Sequence, residues 1–147
     1  MRLDHLCDLE ITVNESQALV KPFGGEEGSL FVLGGGTVTG ERLRGRIRCA
    51  NQARRRNDGA MLPDVSGVIT TDDDAAIVFH LQGLTTWQPT AEGPKGDQIS
   101  WIRFETDSAA YRWLNDARCV LEGTVQLIAG RGATGPCRVY MCTNEML

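Results

Sequence analysis

The densest run of side chains able to do chemistry is Arg54-Arg55-Arg56-Asn57-Asp58-Gly59. An aspartate ahead of a glycine is first a turn former, because it accepts turn dihedrals and bonds its own backbone. The chemical reading is an acid–base pair. Drawn into an apolar interior, Asp58 would have its pKa raised and could serve as general base or acid. Arg56 beside it would bind or polarise a carbonyl and stabilise developing oxyanion charge. His80 lies in the apolar run Ile77-Val78-Phe79-His80-Leu81, where a satisfied core or rim histidine competes with a catalytic one. Trp87, Trp101, Tyr111 and Trp113 could line an aromatic pocket or fill a core.

Other chemistries lack their parts. His5 and His80 are the only histidines, which excludes histidine-rich metal sites. The five cysteines (7, 49, 119, 137 and 142) form no CxxC pair and leave one over in any disulfide scheme. They read as buried thiols in a reducing compartment, and Cys7, two residues from His5, has no visible activating partner. Gly34-Gly35-Gly36-Thr37-Val38-Thr39-Gly40 lacks the Gly-Lys-Ser/Thr ending of a phosphate loop; its three glycines permit a sharp bend or a close backbone approach, and the run reads as a strand bend. No Gly-x-Ser-x-Gly elbow occurs. Asp72-Asp73-Asp74 lacks the alternating ligands and distal glutamate of a calcium loop and reads as a hairpin turn.

These residues need a scaffold, and 147 residues suffice for one domain over 1–147 with a real core. With 41% hydrophobic and 23% charged residues, disorder is excluded; no apolar run approaches a membrane span, and the mixed charged and apolar residues at the N-terminus lead to the expectation of no secretory signal. A cytoplasmic location follows as the expectation. The net charge of −4 argues against a general nucleic-acid binder. Thirteen of the fifteen basic residues are arginine, and seven lie between Arg42 and Arg56 without an aromatic among them, which predicts a solvated arginine face on a strand.

Strand signals dominate. Leu3 to Val13 alternates with period two, apolar on the odd positions. Leu43, Gly45, Ile47 and Cys49 alternate with arginines. Val65–Thr71 and Ala75–Gln82 flank the aspartate turn, and Ile99–Thr106, Cys119–Ile128 and Cys137–Thr143 complete the set. Asp107-Ser108 can cap one short helix through Leu114. Eight to ten strands with one helix predict an antiparallel barrel or sandwich.

The ordered motifs Gly35-Gly36-x3-Gly40-x-x-Leu43-x-Gly45, Arg56-x-Asp58-Gly59, Thr70-Thr71-Asp72-Asp73, Phe104-Glu105-Thr106 and Tyr111-x-Trp113-Leu114-Asn115 resemble the domain of unknown function 3237 family over almost the whole chain. The family usually has Asp-Gly where this chain has Asp73-Asp74, and often a glycine-rich stretch near a tryptophan in place of Cys49-Ala50-Asn51-Gln52. The resemblance implies an all-β, lipocalin-like barrel and a homodimer; the family's activity is largely undefined.

A barrel of this size holds side chains or one small ligand. The expected function is cofactor-independent and metal-free: acid–base chemistry (isomerisation, cyclisation, elimination or hydration, hence lyase or isomerase) on a small, partly apolar organic molecule inside the barrel. Asp58 and Arg56 would be catalytic, and Asn51, Tyr111, Trp113, His80 and Glu105 would bind substrate. The alternative is a non-catalytic barrel that carries such a molecule. An interaction module built on the arginine-rich strand ranks last.

Overall fold

The period-two segments become nine strands and one short helix in the computed structural model, which describes residues 1–16, 19–128 and 131–147. The strands are β1 (Arg2–Ser16), β2 (Gly28–Thr39), β3 (Gly45–Arg55), β4 (Met61–Leu62), β5 (Asp64–Thr71), β6 (Ala76–Gln88), β7 (Lys95–Glu105), β8 (Cys119–Ile128) and β9 (Arg131–Thr143). A 3-10 helix, Ala109–Asp116, joins β7 to β8. All pairings are antiparallel, and β1-β2-β3-β5-β6-β7-β8-β9 returns to β1, so the long strands form a ring. Closure hides the strand edges that a flat sheet would leave exposed. The ring is irregular: β4 wedges between β3 and β6, and bulges interrupt β1 twice and the β8–β9 pairing once. This is the all-β, barrel-like fold expected from the pattern.

Side-chain alternation sets the interior. On β7 the even residues Gly96, Gln98, Ser100, Ile102 and Phe104 are buried, while the odd ones face outward. Cross-strand pairing carries that phase to Leu81 and Phe79 on β6 and to Leu121 and Cys119 on β8. With Leu9, Ile47, Ile69, Ile77 and Val139 these form a continuous apolar core. The helix seals this half of the ring, and its Leu114 is fully buried.

Three local expectations are corrected. The odd-position face of β1 breaks at a bulge between His5 and Cys7, so Leu3 and His5 are exposed and Leu6 joins Cys7 inside. The triple glycine does not break the strand: β2 continues through it, and a Cβ on Gly36 would fall 1.7 Å from the Glu10 carbonyl oxygen, so of the two roles it is close strand approach that requires glycine here. Ser108 occupies the helix N-cap without a side-chain bond; Asn115 instead accepts from the Thr106 N–H (2.8 Å) and donates to the Thr106 carbonyl (2.9 Å). The aspartate turn is as expected, with Asp74 at φ 67° and the Thr71 hydroxyl bonded to Asp73.

One packing prediction arises at Gly67, where an added Cβ would meet the Phe79 ring at 2.5 Å. Gly67→Ala is expected to cost about 1–3 kcal/mol by overpacking. Urea unfolding checks it, and a Phe79→Leu background should reduce the penalty.

Candidate functional site

The interior has two chemically different halves. Beyond Ile102 the inward phase of β7 turns polar. The Thr85 hydroxyl donates to Gln98 Oε1 at 3.1 Å, and Gln98 Nε2 donates to Ser100 Oγ at 3.0 Å, all three side chains being buried. Unpaired, such groups would each cost about 1–3 kcal/mol. Paired, they leave the second Gln98 N–H and the Ser100 hydroxyl hydrogen able to donate. The inward positions around them, Ile11, Val13, Cys49, Asn51, Trp87 and Val125, are only half-buried, and no helix covers this end. The interior toward this end is therefore a buried polar cluster, the floor, among half-buried aromatic and aliphatic side chains, a chemistry that suits a small ligand with one polar end.

Arg56 and Asp58 lie in the turn between β3 and β4, at this same end. Asp58 accepts from Arg56 through both oxygens, from Nε at 3.1 Å and from Nη2, while Oδ1 also takes the Ala60 N–H at 3.2 Å. The turn is pinned to the ring by the Trp87 indole N–H, which donates to the Gly59 carbonyl at 3.0 Å. The expected raising of the Asp58 pKa is not what the geometry produces. The carboxylate is exposed, and its hydrogen bond to the Arg56 guanidinium, seconded by the Ala60 N–H, holds it down at about 2. A depressed carboxyl stabilises the fold above its unfolded value of 3.8, and that contribution disappears as pH falls from there through about 2. Asp58→Asn should therefore flatten the acid limb of a thermal-melt profile in that window, lowering the melting temperature by a constant small amount above about pH 5 and leaving it unchanged near pH 2.

The other sequence candidates fall in three places. Asn51, half-buried on β3, accepts the Asp64 N–H at 3.0 Å. His80 faces outward, bonded through Nε2 to Asp64 Oδ1 at 2.7 Å. It shares an outer cleft of about 280 Å³ with Ser66, Arg103 and Glu105. A second outer cleft, of about 420 Å³, lies beyond Asp64 and is bordered by Gln52, Arg54 and Gln82. Tyr111 and Trp113 sit on the sealing helix at the opposite end of the ring. There the Tyr111 hydroxyl donates to Asp73 at 2.7 Å, and the Arg42 guanidinium stacks 3.7 Å over the Trp113 ring. The fold thus brings Arg56, Asp58 and Asn51 to the open end and links His80 to Asn51 through Asp64, while Tyr111 and Trp113 stay apart.

The arginine-rich strand divides as well. Arg54 and Arg55 clasp Glu27 and Glu26 of the β1–β2 connection, at 2.5 and 2.7 Å. Arg44, Arg46 and Arg48 point outward and are exposed. All five cysteines are free, and burial pushes Cys7 up to about 12 and Cys119 and Cys137 up to about 11. Among the described residues no cluster of three or more metal-ligating side chains occurs, and no helix is long and apolar enough to cross a membrane.

Thr85, Gln98 and Ser100 escaped sequence reading because isolated polar residues in a strand look like its wet face. Their signal is phase. Gln98 and Ser100 share the register of Ile102 and Phe104, so once those two are placed inside, the polar pair must follow.

The fold is shared with solved structures. A protein of unknown function from Clostridium acetobutylicum superposes with a TM-score of 0.80 at 19% identity, covering 97% of this chain and all of that one (100%). A β-barrel-like protein from Acinetobacter baumannii gives 0.74 at 21%, covering 95% and 92%. A protein described as an enzyme from Penicillium herquei gives 0.71 at 18%, again covering 95% and 92%. A search of curated proteins finds no match. The model of the family described as protein of unknown function (DUF3237) matches residues 1–130, and the chain belongs to that family.

Proposed function

We propose that the chain is a cofactor-independent, metal-free enzyme performing acid–base chemistry on a small, partly apolar organic molecule held in the open half of the ring. The observation that carries this reading is the buried Thr85–Gln98–Ser100 floor at the end where Trp87 fastens the Arg56–Asp58 turn. The fold kinship with a protein described as an enzyme supports it.

The roles follow from charge. Asp58 is ionised at neutral pH, so it enters the cycle as base. Paired with Arg56 it is a weak one. When Arg56 turns to the substrate's developing oxyanion, the carboxylate loses its largest acidifying partner and gains basicity at the moment a proton must leave. Asn51 and the Gln98 amide orient the polar end of the ligand, and Trp87 packs its apolar body. His80, bonded to Asp64, and Glu105 supply polar groups on the outer wall. The reading includes a cytoplasmic location and a homodimer.

Uptake of solvent deuterium into a panel of small carbon acids (aryl ketones, phenolic enones, 1,3-dicarbonyls), followed by mass spectrometry, tests it. Enzyme-dependent exchange or product formation is the expected result. Tight binding of panel members without exchange or turnover would leave the non-catalytic carrier, the reading favoured by the strongly ionised Asp58.

A further inference from the structure

The outer face of β1–β2–β3 carries a charge pattern that matches itself under a twofold rotation. β2 presents Phe31, Leu33, Gly35, Thr37 and Thr39 outward, with Phe31 43% exposed and Gly35 small. On one side of this line β1 places Glu10 opposite Thr37 and Asp8 opposite Thr39. On the other side β3 places Arg46 opposite Thr37 and Arg48 opposite Gly35, with Arg44 next along the chain. All five charged residues are exposed. Strands lie about 4.8 Å apart, so the acidic and basic stripes run parallel, roughly 10 Å from each other, with an apolar and small-residue line between.

The charges are not spent within the chain. Among the described residues Glu10, Arg44, Arg46 and Arg48 make no side-chain ion pair or hydrogen bond, whereas Arg54, Arg55 and Arg56 all do. Asp8 is bonded to His5 at 2.7 Å, which leaves Glu10 as the unpaired acid of the stripe.

We propose that this face is the contact surface for a second copy of the chain, with the twofold axis lying along β2 beside Thr37. Rotation about that axis exchanges left and right, laying β1 of one copy over β3 of the other. Glu10 then faces the partner's Arg46, and the partner's Glu10 faces Arg46, two equivalent seams flanking a central line on which Phe31 meets its symmetry mate. The other in-plane axis, across the strands, would set acid on acid and base on base, so charge selects one of the two arrangements. An apolar line with charged rims is the anatomy of a protein contact, and small residues let two convex sheets approach. The face and axis named here rest on the homodimer of the proposed reading and not on its enzymatic part, because no residue of the polar floor or of the Arg56–Asp58 turn takes part.

The test is the oligomeric state of the full chain by sedimentation equilibrium at low and at about 1 M salt, where screening shortens to roughly 3 Å. The wild type should dimerise at low salt and dissociate more at high salt. Arg46→Glu and Glu10→Arg should each weaken the dimer by about tenfold or more, since each leaves two like-charged contacts across the axis. Glu10→Arg/Arg46→Glu together should return the affinity to within about threefold of wild type. Unchanged thermal melts show that these surface variants stay folded. A wild type that is monomeric at low salt, an Arg46→Glu variant that dimerises normally, or a double variant without recovery overturns the proposal. So does a dimer that resists these changes but is dispersed by Trp101→Lys, which would move the contact to the exposed Ile99–Trp101 face.

Discussion

Phe79→Ala is expected to lower the free energy of unfolding by about 3–5 kcal/mol, the cost of emptying an aromatic site in a core that cannot collapse. Phe79 is buried on β6, paired across strands with buried Phe104, and its ring lies where a Gly67 Cβ would point. Gly67 keeps that space free for the ring, so the two strands have been matched around it. Removing the ring leaves a void ringed by stiff sheet backbone. A domain of this size has only about 5–15 kcal/mol of net stability, so a substantial part of it would go. Val78, the next residue along, faces solvent at 54% exposure, and Val78→Ala should change stability by less than about 0.5 kcal/mol. Urea titrations of both variants check the magnitude and the register together. Equal losses at the two positions would mean the inward phase of β6 is wrong.

The second large effect is chemical. Asp58→Asn keeps the turn, because asparagine accepts the same dihedrals and retains an oxygen for the Ala60 N–H. It removes the proton acceptor, and turnover should fall by about 10²–10⁴-fold while the protein stays folded at neutral pH. Arg56→Lys should also cut turnover, since an ammonium cannot reproduce the paired Nε and Nη2 contacts now made to Asp58. The two substitutions should be strongly non-additive if the residues exchange partners during the cycle. Steady-state kinetics on a panel substrate that shows exchange supplies the numbers. Full activity in folded Asp58→Asn would remove the carboxylate from the mechanism and turn attention to His80 and Glu105.

The strands were readable where one face meets the core and the other meets water, as in Leu43 to Cys49 alternating with arginines. The glycine run was legible only as a choice, because a glycine in a strand has two meanings, a bend or a close neighbour, and it is the position of Glu10 on β1 that selects the second over the bend read from the sequence. The Arg56–Asp58 pair was legible as a pair, because two residues of separation across a turn leaves the side chains within reach. Its ionisation was not, since that depends on whether the turn points into the ring or out to solvent. Tyr111 and Trp113 looked like pocket residues because aromatics serve pockets and cores alike; the helix that carries them closes the end opposite the polar floor. Ring closure itself depends on β1 meeting β9 across nearly the whole chain, a pairing no local window contains.

Ligand held in the polar half of the ring can be located directly. Crystals of the wild-type chain soaked with whichever panel compound shows exchange, or grown with the compound that co-purifies, should show density within hydrogen-bonding distance of Gln98 or Ser100. That density should be walled by Trp87, with Arg56 turned toward an oxygen of the ligand. Density instead in the outer cleft of Ser66, His80, Arg103 and Glu105, with the interior unchanged, would contradict the account.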